Sequence, residues 1–144
     1  MNSSKLIEFI FSIAYLKTMV EKFWFEKSKE FLELAKKHLD DGYFWFSCFA
    51  SQQSVEFALK GLLVKYKGMF PFTHDLGELA EKVGKELGVN VPDDIIRYCD
   101  ILTPHYVMSR YSQFAEYNRR KAEECLNSAT IVIEWVRKNF NINL

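Results

Sequence analysis

Cysteine, proline and glycine are all scarce in this chain of 144 residues, and its charges cancel. Three prolines and six glycines are too few for a loop-rich or collagen-like protein. Nineteen Lys and Arg against nineteen Asp and Glu supply no wide positive field, which excludes a basic protein that coats nucleic acid. A hydrophobic content of 49% excludes a disordered chain, and the length predicts one domain with a core of its own.

The three cysteines are odd in number and widely spaced, at Cys48, Cys99 and Cys125. No CxxC pair occurs, so neither a zinc knuckle nor a thioredoxin-type motif is present. We therefore expect three buried thiols in a protein of the reducing cytoplasm.

The N-terminal residues 6–16 are mostly apolar. Glu8 interrupts the run and no small-residue cleavage site follows, so a signal peptide is not expected, and the run is too short to span a bilayer. We expect residues 1–20 to form a helical extension that packs on the body of the protein or on a partner. Met19 precedes a clearly amphipathic stretch, which leaves open whether residues 1–18 belong to the native protein.

Helical periodicity dominates the rest of the chain, and no strand pattern appears. The predicted helices cover residues 21–41, residues 44–67, a segment from Asp75 to Gly88, a segment from Pro92 to Pro104, and residues 117–140. Long amphipathic helices with short connections predict an all-α fold, an up-and-down antiparallel bundle of about four to five helices in a single domain over residues 21–144. The aromatic content of 16% exceeds the need of one small core, so some aromatics are expected at an oligomer interface.

The usual catalytic signatures are missing from the sequence. It contains no glycine-rich phosphate loop, no HExxH and no GxSxG. The histidines lie at scattered positions without a helical i, i+4 pair, so neither a metal site nor a cofactor is expected. Function must therefore be sought in smaller polar features.

The first such feature is a polar row on the second predicted helix. Gln53, Glu56 and Lys60 are spaced by three and four residues, which puts them on one face of an otherwise apolar segment. They form either a solvated face or a buried, paired cluster.

The second feature surrounds Arg110, which Tyr106 precedes and Tyr111 follows. Arginine and tyrosine together bind a phosphate and stack on a base. Alternatively, Arg110 caps a helix end or pairs with an acid such as Glu56.

The third feature is the pair His74 and Asp75 at the start of the third predicted helix. The N-terminus of a helix is suited to hold an anion. In the local alternative, Asp75 caps the helix and His74 packs or hydrogen-bonds nearby.

In their order and spacing, these segments resemble HEPN domains over residues 22–140. The matching pieces are a Gln-rich run that ends in Glu56-Phe-Ala-Leu-Lys60, then Thr73-His-Asp-Leu-x-x-Leu79, then Tyr106-x-x-x-Arg110-Tyr111, and last Ala122-x(6)-Ala129-x(5)-Trp135-Val136. The resemblance implies an up-and-down helical bundle that commonly forms homodimers and acts on or with nucleotides or RNA. The family that the chain resembles includes toxins paired with small nucleotidyltransferase antitoxins, and it includes metal-independent ribonucleases.

The ribonuclease branch of that family carries an Arg followed by a His with four to six residues between them. After Arg110 this window holds Ala115, Glu116 and Tyr117, and His105 lies on the wrong side. The motif is therefore absent, and the resemblance implies binding rather than catalysis.

We accordingly expect a cytoplasmic, homodimeric HEPN-type module of a two-component, toxin–antitoxin-like system. It would bind a nucleotide, a phosphate-bearing ligand or a nucleotidyltransferase partner, with no membrane and no cofactor involved. Glu56 would orient Arg110 or Lys60. The expected ligand-binding residues are Gln53, Glu56, Lys60, His74, Tyr106, Arg110 and Tyr111.

Two other functions remain open. One is a metal-independent ribonuclease toxin with a divergent active site around Arg110, which is the one candidate catalytic residue, and with His105 or His74 as the base. The other is a structural adaptor whose aromatic surface binds a protein partner.

The neutral total hides a segmental imbalance. Residues 56–67 hold three lysines against Glu56, residues 97–121 hold five cations against two acids, and residues 75–94 hold six acids against two lysines. If the two positive segments meet, we expect one phosphate-sized positive pocket on a neutral protein.

Overall fold

The structure is a computed structural model that describes residues 2–144, and its regular elements are all helices. A single 3-10 turn, Ser109–Tyr111, follows the fifth helix. Antiparallel neighbours joined by short connections confirm the predicted all-α bundle. The helices are α1 (Ser3–Asp40), α2 (Phe44–Lys67), α3 (Leu76–Leu87), α4 (Asp93–Leu102), α5 (His105–Met108) and α6 (Arg119–Phe140).

The helix ends follow local signals in the sequence. Gly68 and Gly88 take up left-handed backbone angles, with φ of 76° and 67°, directly after α2 and α3. At the start of α3, Oδ1 of Asp75 accepts a hydrogen bond from the backbone N–H of Glu78 at 3.0 Å. This confirms the predicted cap, and at α6 the side chain of Asn118 plays the same part.

Helix α2 lies at the centre of the bundle and packs against α1, α3, α4, α5 and α6. It is consequently buried along most of its length, including its polar positions. Its aliphatic side chains meet those of α3 and α6, and each fully buried one contributes about 1.5–3 kcal/mol. The largest of them are Val55, Leu59, Leu62, Leu63, Leu76, Leu79, Val83, Val132 and Val136.

Gly61 allows α1 to approach α2 closely. A Cβ at this position would lie 2.8 Å from Cε1 of Phe25 and 2.9 Å from Cβ of Trp24, both on α1. Because Gly61 has no side chain, the C-terminal half of α1 packs directly against the backbone of α2.

The first half of α1 makes no such contact. The helix runs without a break from Ser3 to Asp40, yet none of residues 2–20 is buried in the single chain. Residues 3–20 are helical, and they are not buried against the body of the single chain. Packing on a partner and the division at residue 20 stay predictions. Within residues 2–144, no helix has the length and hydropathy needed to cross a bilayer.

Candidate ligand-binding site

The polar row on α2 is buried. Glu56 and Lys60 each expose only 6% of their surface, and Gln52 exposes none. The row is therefore a paired cluster, and the alternative of a solvated face is wrong. The reason is that the neighbouring helices enclose α2, which helical spacing alone does not reveal.

The carboxylate of Glu56 is the centre of this cluster. Its Oε2 accepts a hydrogen bond from Nζ of Lys60 at 3.1 Å, and its Oε1 accepts one from Nε2 of Gln52 at 3.0 Å. Nδ1 of His74 lies 3.0 Å from Oε1 and 3.1 Å from Oε2. A buried charge is tolerated when it is paired and hydrogen-bonded, and Glu56 is both.

The contact with Glu56 also fixes the chemistry of His74. Because a carboxylate only accepts hydrogen bonds, Nδ1 of His74 donates, and in the neutral imidazole Nε2 is the basic nitrogen. The side chain of His74 is 48% exposed, so the ring that carries Nε2 is accessible to a ligand. The local alternative for His74 is thus the one found, with Glu56 as its partner.

Gln52 ties the loop before α3 to α2, although sequence reasoning omitted it from the site. Its Nε2 also donates to the carbonyl oxygen of His74 at 3.2 Å, and its Oε1 accepts from Nε2 of Gln53 at 2.7 Å. Its position one turn before Glu56 on the same helix is the signal that could have found it. Gln53 therefore contacts the cluster through Gln52.

A stack of flat side chains forms the edge of the cluster. The rings of His74 and Tyr106 lie 3.7 Å apart, centroid to centroid, at an interplanar angle of 16°. The guanidinium of Arg110 lies 4.6 Å from the centroid of the Tyr106 ring. Because α5 and the 3-10 turn carry these residues over α2, the sequence-distant segments meet at one place.

Arg110 pairs with no acid among residues 2–144. Six Lys–Glu or Arg–Glu ion pairs occur in this part of the chain, and Arg110 is in none of them. The alternative in which Arg110 pairs with Glu56 is therefore not the one found. Of the two cations that Glu56 was expected to orient, it holds Lys60. Tyr111 is 56% exposed and joins none of the cluster contacts found in this part of the chain.

The cations of the two positive segments are not all available at the cluster, so the expected positive pocket stays a prediction. Lys60 is neutralised by Glu56, while the guanidinium of Arg119 and the ammonium of Lys121 lie over the rings of Phe44 and Tyr117. Arg110 is the cation that lies over the ring of Tyr106 at the edge of the cluster.

His105 lies apart from these contacts. It is 6% exposed, and its Nδ1 is 2.8 Å from the hydroxyl of Tyr117. Burial lowers its pKa to about 4. Of the two histidines considered as catalytic bases, His74 is therefore the one that a substrate can reach.

Two thiols accompany His105. The Sγ atoms of Cys48 and Cys125 and a ring nitrogen of His105 lie within 4.8 Å of one another. A hydrogen bond with Cys48 and burial raise the pKa of the Cys125 thiol. The expectation of buried, unbridged cysteines is confirmed for Cys48, Cys99 and Cys125.

The fold and the cluster together define a class of protein: a small antiparallel helical bundle with a polar centre on its second helix and a Tyr–Arg turn laid across it. The HEPN domain model matches residues 21–139. The chain belongs to the HEPN domain family.

Several known proteins are similar to this chain. A protein of Methanocaldococcus jannaschii named "Putative toxin MJ1304" is 28% identical over 141 residues, covering 88% of this chain and 89% of its own length. The crystal structure of TT1696 from Thermus thermophilus superimposes with a TM-score of 0.73 at 29% identity, covering 82% of this chain and 96% of that one. ST0689, described as an archaeal HEPN homologue, has a TM-score of 0.67 at 30% identity, with coverage of 82% and 95%.

Proposed function

We propose that the protein is a homodimeric HEPN-type module of a toxin–antitoxin-like system, and that it binds a nucleotide or another phosphate-bearing ligand. The observation that carries this proposal is the stack of His74, Tyr106 and Arg110 beside the Glu56–Lys60 pair. The aromatic rings offer a surface for a base. The unpaired guanidinium offers two parallel donors to a phosphate.

The paired centre supports this assignment by holding the stack in place. Glu56 and Gln52 both bind His74, one at its ring and the other at its carbonyl oxygen. A ring fixed in this way loses little freedom when a base stacks on it, so more of the contact energy contributes to affinity. Arg110 completes the site because its charge is not spent on a neighbouring acid.

Ligand titration of an arginine variant tests the proposal. A panel of mononucleotides and short single-stranded RNAs is titrated calorimetrically into the wild type and into Arg110→Ala. A charge-assisted hydrogen bond to phosphate is worth about 1.5–3 kcal/mol, so Arg110→Ala is expected to weaken binding about tenfold or more. The matched control is Arg97→Ala, which removes an exposed arginine from α4. Equal affinity of Arg110→Ala and wild type contradicts the proposal.

A small nucleotidyltransferase is the partner we propose for this module. Apolar side chains near the stack support a protein contact, since Tyr111 and Phe114 are 56% and 84% exposed. Light scattering is expected to report a homodimer, and co-expression with a nucleotidyltransferase encoded beside the gene is expected to yield a joint complex. The adaptor alternative predicts a complex whose melting temperature no nucleotide shifts.

A ribonuclease toxin is the second candidate, and the arrangement of His74 favours it. Glu56 holds Nδ1 of this imidazole, which leaves Nε2 as a base on an exposed ring. In such a reaction, Nε2 takes the proton of a 2′-hydroxyl and the freed oxygen attacks the adjacent phosphorus. The 5′-oxygen leaves and takes up a proton, so the products are a cyclic 2′,3′-phosphate and a 5′-hydroxyl. Arg110 stabilises the charge on the phosphate.

Incubation of the pure protein with total RNA in the presence of a chelator distinguishes the two candidates. Cleavage that His74→Gln abolishes, while nucleotide binding by that variant falls only a few-fold, supports the ribonuclease. His38→Gln is the control, because His38 hydrogen-bonds the carbonyl oxygen of Leu34 on α1 and does not join the stack. An inactive wild type, or equal cleavage by Arg110→Ala, eliminates this candidate.

A further inference from the structure

We propose that Cys48, His105 and Cys125 form a site for one Zn²⁺ ion inside the bundle. Their three ligand atoms lie within 4.8 Å of one another, and all three residues are buried. Two thiols and one imidazole are the donor set that zinc prefers over magnesium or calcium.

The distances require only small movements for coordination. With zinc–sulfur bonds near 2.3 Å and zinc–nitrogen bonds near 2.0 Å, tetrahedral ligand atoms stand about 3.6–3.8 Å apart. The atoms here therefore need to move by about 1 Å at most, which changes of side-chain torsion provide. A water molecule would supply the fourth ligand.

Tyr117 provides the second contact that a histidine ligand normally has. Its hydroxyl lies 2.8 Å from Nδ1 of His105, which leaves Nε2 as the nitrogen available to a metal. Histidine ligands of metals are usually held in this way by a partner on the other ring nitrogen. This hydrogen bond would also fix the plane of the ring.

Charge balance favours the site in a buried position. Binding of Zn²⁺ displaces the two thiol protons, and the two thiolates cancel the charge of the ion. The imidazole is neutral, so the complex carries no net charge. The large penalty of burying an isolated ion is thereby avoided.

The ion would fasten three elements that are distant in sequence. Cys48 lies on α2, His105 opens α5, and Cys125 lies on α6. Because α5 is a single turn, its own hydrogen bonds hold it weakly. A metal at His105 would fix the turn that carries Tyr106, and with it the stack at the candidate ligand-binding site.

Reconstitution with metal tests the proposal on the full chain. The protein is unfolded with a chelator and a reductant, refolded with or without Zn²⁺, and analysed for metal by mass spectrometry. One Zn²⁺ per chain is expected, together with a melting temperature several degrees above that of the metal-free protein. Refolding with Co²⁺ is expected to give the thiolate-to-cobalt charge-transfer band and the visible bands of a tetrahedral site.

Variants identify the ligands, and the third cysteine provides a matched control. Cys48→Ser, Cys125→Ser and His105→Gln are each expected to lower metal affinity at least tenfold. Cys99→Ser changes a cysteine that is equally buried but lies outside the cluster, so it is expected to keep the metal. If a cluster variant fails to fold, the cobalt spectrum of the wild type still decides whether sulfur binds the ion.

Three results would overturn the proposal. The first is a wild type that takes up no metal after full reduction of its thiols. The second is a cobalt complex without the thiolate band. The third is a Cys99→Ser variant that loses metal as completely as Cys48→Ser does.

Discussion

Glu56 is an acid held inside the bundle by three polar neighbours. Lys60 balances its charge, while Gln52 and His74 satisfy its oxygens. The sequence predicted that Glu56 and Lys60 share a face, because i, i+4 spacing is a property of any helix. Their burial was beyond prediction, since it depends on α3 and α5 lying across α2. Arg110 shows the same limit, because its contact with Tyr106 is set by a turn that no periodicity encodes.

Substitution of Glu56 by glutamine is expected to destabilise the protein by about 3 kcal/mol. The amide keeps the shape and much of the hydrogen bonding, but it leaves the ammonium of Lys60 buried without a counter-charge. The free energy of unfolding is measured by urea denaturation at neutral pH. The control is Glu134→Gln, which breaks an exposed pair with Arg137 on α6 and is expected to cost about 1 kcal/mol or less. Equal effects of the two substitutions would show that the pair at Glu56 contributes no more than a surface contact.

Helix α1 consists of two halves with different environments. Its C-terminal half packs on α2 through Phe25, Ala35 and Leu39, and Oγ of Ser28 donates to the carbonyl oxygen of Ser54 at 2.6 Å. Its N-terminal half is apolar on nearly all sides and exposed in the single chain. Residues 3–20 continue the helix without adding to the core, so their helical conformation does not depend on packing within the single chain.

The sequence predicted well the helix ends that depend on local signals, and less well the short elements that depend on packing. The C-terminal ends of α2 and α3 and the start of α3 are set locally. Gly68 and Gly88 end their helices in the left-handed conformation, and Asp75 caps the first turn of α3. Residues 105–116 lie outside the predicted helices, and they hold α5 and the 3-10 turn. A helix of four residues is too short to display a period, so its formation depends on packing against α2.

Removal of residues 1–18, so that the chain starts at Met19, is expected to leave the free energy of unfolding within about 0.5 kcal/mol of the full chain. The reason is that the removed side chains bury nothing in the bundle, and changes at such positions have little effect. A longer truncation, of residues 1–28, removes Phe25 and the Ser28 hydrogen bond and is expected to cost about 3 kcal/mol or more. Urea denaturation of the three chains at one protein concentration measures both effects. A large loss on removing residues 1–18 alone would mean that this segment is buried in solution.

At the scale of the whole molecule, the balance of charges limits how the proposed site could bind nucleic acid. Its formal net charge is zero, and the cation closest to the centre of the candidate site is neutralised by Glu56. Within residues 2–144, the cation that lies against the two stacked rings is Arg110, which pairs with no acid in this part of the chain. Such a surface contacts one or two phosphates, so affinity must come mainly from stacking and from hydrogen bonds of defined geometry.

The salt dependence of RNA binding measures the number of phosphates that the proposed site contacts. Each phosphate contact with a single strand contributes about −0.7 to the slope of log K against log salt concentration. One or two contacts therefore predict a slope between about −0.7 and −1.4 for the wild type, whereas six contacts would give about −4. Arg110→Ala is expected to reduce the magnitude of the slope by about 0.7, and Arg97→Ala is expected to leave it unchanged, because Arg97 lies on the exposed side of α4. A steep slope that both substitutions reduce equally would instead indicate a diffuse positive surface. That result would contradict a single site at the Tyr106–Arg110 stack, because an affinity spread over many exposed cations cannot depend on one of them.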